Sequence, residues 1–322
     1  MDWKDRIGRR LKLRDVNILL TVVQSGSMTK AAEVLSVSNP VVSKAISDLE
    51  HTLGVRLLER SPQGVEPTVY GRALLDHGVV AFDELKQAVR HIEFLANPTA
   101  GEVRIGASIA MAAGFIAAVT DRLSRSHPKI TFHVLSGDSA TTYRALQERK
   151  VDLVIVHIFH PFAEDHMNAE ILFHEPHLVL AGAANPLSRR RKVELADLIE
   201  EPWTLPPPDS LFGGVVLEAF RSRGLGLPRT VVTASYPMRC AMLAVGRFVT
   251  MAPASIARLP TENAILRVLP INLPTSIRPA AVITLKKRPL SPVAELFVNC
   301  AREVAKAVRT DAKSGVGRRK CK

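Results

Sequence analysis

The feature that most constrains this chain is the stretch SVSNPVVSKAISDLE, Ser36 to Glu50, where an apolar stripe begins directly behind a proline. Val42, Ile46, Leu49 and Leu53 recur at intervals of four, three and four, the pattern of a helix buried along one side. Pro40 agrees with that reading. In a first turn its missing N–H has no intrahelical partner to lose, so it marks a helix start. Ser38 or Asn39 supplies the cap, and Gly54 ends the helix. Asn39, Ser43, Lys44 and Ser47 are left facing outward. A helix that needed only solubility would more often carry Glu and Lys there, which propagate better and pair across a turn.

The residues ahead of this helix read in the same way. Asp15 caps a helix with Val16, Leu19, Leu20 and Val23 inward; SGS ends it. Ser27 starts a shorter helix with Ala31, Ala32 and Leu35 inward, and SVS makes a tight turn into the third. Two helices joined by a short turn, the second presenting short polar side chains and one cation, form a helix-turn-helix suited to a DNA major groove about 12 Å wide. Beyond Gly54, Leu57-Leu58 and Val65 read as strands around the turn SPQG, a hairpin wing that puts Arg60 and Gln63 against the sugar-phosphate backbone.

The segment GSMTKAAEVLSVSNPVVSKAISDLEHTLGVRLLER, followed by VEPTVYGRALL, resembles the winged helix-turn-helix of the LysR-type transcriptional regulators. The shared pattern is Gly-Ser, Thr-basic-Ala-Ala, Ser-Gln-Pro, Ser-basic, Leu-Glu, Leu-Gly and a late Thr-x-x-Gly. Here Asn39 stands in place of the usual glutamine. Either amide can address adenine, but asparagine is one methylene shorter. The resemblance implies DNA contacts by Thr29, Lys30, Ser38, Asn39, Pro40, Ser43, Lys44, Arg60 and Gln63. It implies a partly palindromic double-stranded operator, a homodimer or homotetramer, and RNA polymerase as a further candidate partner. LKLRDVNILLTVVQSGSM and RSPQGVEPTVYGRALL also resemble a branch tied to sugar uptake or aromatic acids.

Thr68 caps a further helix beginning near Gly71, with Leu75, Phe82 and Val89 seven residues apart and Leu85 and Ile92 interleaved up to about Leu95. That repeat reads either as a coiled-coil seam or as a helix packed on its own domain. A reader of two half-sites favours the seam, and in the family this linker helix dimerises. NPTAG, Asn97 to Gly101, is a hinge.

From residue 101 the order strand, helix, strand, helix, strand predicts a parallel sheet with helices on both faces, and a second such set follows. The expected class is multidomain α/β: a winged helix-turn-helix (11–70), a linker helix (71–97) and a two-lobed effector domain (101–310) resembling the periplasmic binding proteins. Lobe I is expected over 101–183 and 283–310, lobe II over 184–282, and a disordered basic tail over 311–322. Ligands in open α/β sheets lie beyond the carboxyl ends of the strands. That rule selects Ser108 and Ile109, Ser136, His157, Pro208 and Ser210, Ser235 and Tyr236, and Pro253 as effector contacts. Ser108 also starts a helix, whose free N–H groups favour an anion.

Other chemistry finds little support. IGASIAMAAG lacks the spacing of a dinucleotide fingerprint, so no cofactor is expected. His157, His160, His166, His174 and His177 are crowded in sequence, but the strand assignments scatter them, so no metal is expected either. Cys240, Cys300 and Cys321 form neither a disulfide framework nor a CxxC site, which fits a reducing cytosol. MDWKDRIGRR lacks the apolar core of a secretory signal, and MAAGFIAAV is too short to cross a bilayer, so no membrane partner is expected. The net charge of +12 favours a polyanionic partner. An enzyme with a DNA-binding appendage would need a nucleophile–base pair, P-loop or metal motif, and none is found, so no catalytic residue is expected. A non-specific architectural binder would have no need of a two-lobed cleft. The expected effector is a small metabolite, an organic acid or a sugar-derived compound.

Overall fold

The structure is a computed structural model that describes residues 10–61, 64–159, 165–228, 230–233, 235–257, 266–271, 273 and 277–315. It divides into two compact units, Met1–Val89 and Arg90–Lys322.

In the first unit α1 (Leu13–Ser25), α2 (Met28–Val34) and α3 (Asn39–Leu53) pack around Leu19, Val22, Ala31, Val42, Ile46 and Leu49, all buried. The alanines of α2 let its neighbours approach closely. α1 begins earlier than expected: Asp15 lies inside its first turn, and Lys12 holds the cap position with no side-chain hydrogen bond. At the positive end of the helix dipole Asp15 remains favourable. Gly54 adopts the left-handed C-cap, at φ 73°.

β1 (Leu58–Ser61) and β2 (Gly64–Pro67) pair antiparallel as the wing. Several motif residues lock this wing to the helices. The Glu50 carboxylate accepts from the Leu57 N–H at 2.8 Å and the Leu58 N–H at 3.3 Å. The Thr68 hydroxyl donates to the Arg56 carbonyl at 2.8 Å and accepts from the Gly71 N–H at 3.0 Å. A Cβ on Gly71 would overlap the Leu57 carbonyl oxygen, which explains the glycine of Thr-x-x-Gly. The Val65 N–H donates to the Gly26 carbonyl at 3.1 Å, tying the wing to the turn ahead of α2.

α4 (Val69–Ala96) starts at Val69, two residues ahead of Gly71, and runs 28 residues, about 42 Å at 1.5 Å per residue. Leu75 is buried and Phe82 packs against the same core. Further along, Leu85, Ile92 and Leu95 are 48%, 66% and 70% exposed. No helix among the described residues is long and apolar enough to cross a membrane.

The second unit holds two five-stranded sheets. The first has the order β4 (Lys129–Gly137), β3 (Ala100–Ser108), β5 (Leu153–His157), β12 (Arg278–Leu285), β6 (Met167–Glu175). The second has the order β11 (Leu266–Val268), β7 (His177–Gly182), β10 (Val249–Pro253), β8 (Trp203–Leu205), β9 (Thr230–Val232). Both are mixed where parallel sheets were expected: β12 runs antiparallel to β5 and β6, and β7 antiparallel to β10 and β11. The cause is the pair of crossings, which brings β12 and β7 into their sheets in reverse. The lobe boundaries shift accordingly. HLVLAG, expected in lobe I, hydrogen-bonds within the second sheet, and the chain rejoins the first at Arg278 rather than at residue 283. β6, unread in the sequence, forms the edge of the first sheet.

The helices behind the strands are α5 (109–126), α6 (Ser139–Gln147), α7 (Leu211–Arg221), α8 (Tyr236–Ala244), the short α9 (Ala254–Ala257) and α10 (Pro292–Gly315). The middle of α5, Ala112–Ile116, is π-wound. α10 continues through residues 311–315, where a disordered tail was expected; residues 316–322 lie outside the described set. Each lobe has its own core, the first around Ile105, Phe173 and Phe297, the second around Trp203, Phe220 and Val249.

Candidate nucleic-acid face and ligand cavity

On the first unit, Thr29 and Lys30 in the first turn of α2 and Ser38, Asn39, Pro40 and Lys44 at the start of α3 are exposed; Ser43 is half-buried. Ser38 holds the cap position of α3 with its hydroxyl uncommitted to the helix, since no side-chain cap hydrogen bond forms there. The Asn39 amide donates to the Thr29 hydroxyl at 3.4 Å, so the first turns of α2 and α3 share one outward surface. Below it Val42, Ala45, Ile46 and Leu49 fix the helix to the core. The backbone of Arg60 pairs with Val65 in the wing. The Arg60 side chain and Gln63 lie outside the described residues.

In the second unit a cavity of about 770 Å³ opens between the two lobes, within the usual range for small-molecule sites, roughly 300–1,000 Å³. Strand ends and helix starts build its walls. Ser108, Ile109, His157, Ser210, Tyr236 and Pro253 all line it. Ser136 does not, because β4 continues to Gly137 and the strand end shifts to Gly137 and Asp138, which do. Pro208 is an exposed turn residue between Pro207 and Asp209, which line the cavity in its stead. Ser235 is exposed and off the lining, its hydroxyl accepting from the Met238 N–H at 3.3 Å as the cap of α8.

Most of the wall is apolar, with Phe159, Leu180, Phe212, Leu243, Met251 and Ile256. Phe212 stacks on His177 with ring centroids 5.0 Å apart. The sequence reading did not find Tyr143, Asp138 or Arg239. Arg239 lies one turn into α8, beyond the reach of a strand-end rule, and its guanidinium sits 5.7 Å from the Tyr236 ring. Burial pulls its pKa below the ordinary value, and it makes no ion pair among the described residues. The Asp138 carboxylate caps α6 by accepting from the Thr141 N–H at 2.7 Å, which holds its pKa below the usual range.

Glu175 closes the lobe junction. One carboxylate oxygen lies 2.6 Å from His157 Nε2, at the end of β5 in the first lobe. The other accepts from the Ser255 N–H, at the start of α9 in the second lobe. Glu175 and His157 are both buried. Arg278, at the other crossing, donates to the Phe159 carbonyl at 3.3 Å and to Glu218 at 3.4 Å. Of the histidines, His157 and His177 come together, with ring centroids 6.3 Å apart, but no group of three or more side chains placed to hold a metal occurs among the described residues; His160 lies outside them.

Two family models cover this architecture. "Bacterial regulatory helix-turn-helix protein, lysR family" matches residues 13–72, and "LysR substrate binding domain" matches residues 96–306. The chain belongs to the LysR family. It is a LysR-type transcriptional regulator, with a DNA-binding helix-turn-helix and an effector-binding domain. It is 30% identical over 300 residues to the HTH-type transcriptional regulator GbpR of Azospirillum brasilense, covering 91% of this chain and 86% of that one. A full-length OxyR variant from Pseudomonas aeruginosa has the same fold, with TM-score 0.67 and 23% identity over 92% of this chain and 97% of that one. Full-length CbnR complexed with its target DNA matches at TM-score 0.53 and 22% identity, over 92% and 100% of the two chains.

Proposed function

We propose that the first turns of α2 and α3 are the DNA-reading surface of this regulator and that the cavity between the lobes is its effector site. The contact between Asn39 and Thr29 carries the first part, because it gathers short polar side chains and the cations Lys30 and Lys44 on one exposed surface. Asn39 and Ser43 meet base edges in the major groove, while Lys30 and Lys44 meet phosphates. Thr29, Ser38 and Pro40 set the close approach, and Arg60 and Gln63 serve the flanking backbone. The exposed residues Leu85, Ile92 and Leu95 of α4 form a seam with a second copy, which supports a homodimer, or a homotetramer of two such pairs, on a partly palindromic operator.

An effector, either an organic acid or a sugar-derived compound, binds between the lobes. It shifts the balance of lobe closures by binding one of them better. The protein works in the cytoplasm on bacterial-type promoters, where RNA polymerase is a further partner, and it turns over no substrate. Selection of binding sites from random duplex DNA by the full-length protein tests this reading. The expected result is enrichment of a paired half-site motif that Asn39→Ala relaxes at one position in each half. Enrichment of no motif, or an identical motif with Asn39→Ala, overturns the assignment.

A further inference from the structure

The cavity has a charge pattern that separates acids from sugars. Its lining includes the starts of α5, α6 and α7, through Ser108, Ser139 and Ser210, and the first residue of α8, Tyr236. Helix N-termini present N–H donors and positive partial charge. Arg239 adds a full positive charge that is partly desolvated, stacked on Tyr236 and without a carboxylate partner among the described residues. Two carboxylates also reach the lining. Asp138 is engaged with the Thr141 N–H, and Asp209 is exposed, where water screens it. His157 is engaged with Glu175. A partly buried cation without a counter-charge is costly until an anion supplies one. Of the remaining wall, Tyr143 and Thr250 carry hydroxyls, the latter already donating to the Thr204 carbonyl at 2.6 Å, while Leu180, Leu243, Met251, Phe159 and Phe212 are apolar.

We infer that the cavity takes an organic anion with an apolar, ring-sized body, and that Arg239 is the residue that selects its charge. This rests on the cavity being the ligand site, so the test separates the two claims. Fluorescence titration of the full-length protein would use the anionic probe anilinonaphthalene sulfonate and its neutral counterpart phenylnaphthylamine. Ala140→Trp places a large ring at an exposed position on the lining and blocks the cavity. The binding component lost in Ala140→Trp is the cavity component.

For that component the sulfonate should bind about tenfold or more tightly than the neutral probe, the effect of one desolvated charge pair. Arg239→Gln should erase the difference by weakening only the sulfonate, and Arg239→Lys should restore part of it. Equal affinity for both probes, or sulfonate binding unchanged in Arg239→Gln, overturns the role of Arg239 while leaving the cavity as the site. Binding of both probes unchanged in Ala140→Trp overturns the cavity reading and the inference with it.

Discussion

On α3 the side chains proposed to meet DNA come from successive turns of one helix and are mostly exposed. The cavity draws on no such run. Its wall is assembled from the ends of β3, β4, β5 and β10, from the first turns of the helices behind them, and from Leu180 of β7, Leu266 of β11 and Leu243 at the far end of α8. On the helix, the residues that hold the fold and those that face outward lie on opposite sides. At the cavity, Ser108, Asp138 and Ser210 each line the site and also cap a helix. Reading and stability should therefore be separable in the first unit and entangled in the second.

The largest expected effect comes from the lobe junction. Glu175→Ala strands His157 and the Ser255 N–H in a buried setting, and each buried group left without its hydrogen-bond partner costs about 1–3 kcal/mol. Denaturant unfolding followed by tryptophan fluorescence, to which Trp203 in the second lobe contributes beside Trp3, should show that loss together with weaker binding of the anionic probe. Unchanged stability would break the proposed entanglement. Gly71→Ala comes next. Its Cβ would press on the Leu57 carbonyl, and overpacking of this kind costs about 1–3 kcal/mol. Circular dichroism should report melting of the helical first unit at lower temperature, with the cavity component of probe binding unchanged.

Lys44→Ala should alter DNA binding and little else. Removing one phosphate contact lowers the salt slope of binding by about 0.9, while stability stays within about 0.5 kcal/mol. Anisotropy titrations at several salt concentrations give the slope, and an unchanged slope would remove Lys44 from the phosphates. The smallest effect belongs to Ser235→Ala. It deletes the cap of α8 at a cost of about 0.5–1 kcal/mol, and because Ser235 is off the cavity lining, probe affinity should barely move. A tenfold loss of probe affinity would put Ser235 in the site after all.

The same contrast explains what the sequence made legible. The stripe Val42, Ile46, Leu49 and the cap Gly54 are local patterns, and the first unit follows them closely. Local patterns located element ends less well, as Asp15 and Val69 show, because periodicity fixes a helix's buried side better than its first residue. In the second unit the strand-end rule located Ser108, His157 and Pro253 on the lining. It missed by a residue or two where a strand ran on, at Ser136, and it had no means of finding Arg239 inside a helix. Strand direction was also invisible, since β7 and β12 owe their orientation to chain crossings that leave no periodic trace.

The hydrogen bond from Val65 to the Gly26 carbonyl has a mechanical consequence. Together with the clamps at Glu50 and Thr68 it makes helices and hairpin one stiff template. A template of that kind cannot adjust the separation of its outer points to suit an ill-matched duplex. The deformation needed to fit must come from the nucleic acid, so the bendability of base steps that no side chain touches becomes part of what the protein selects.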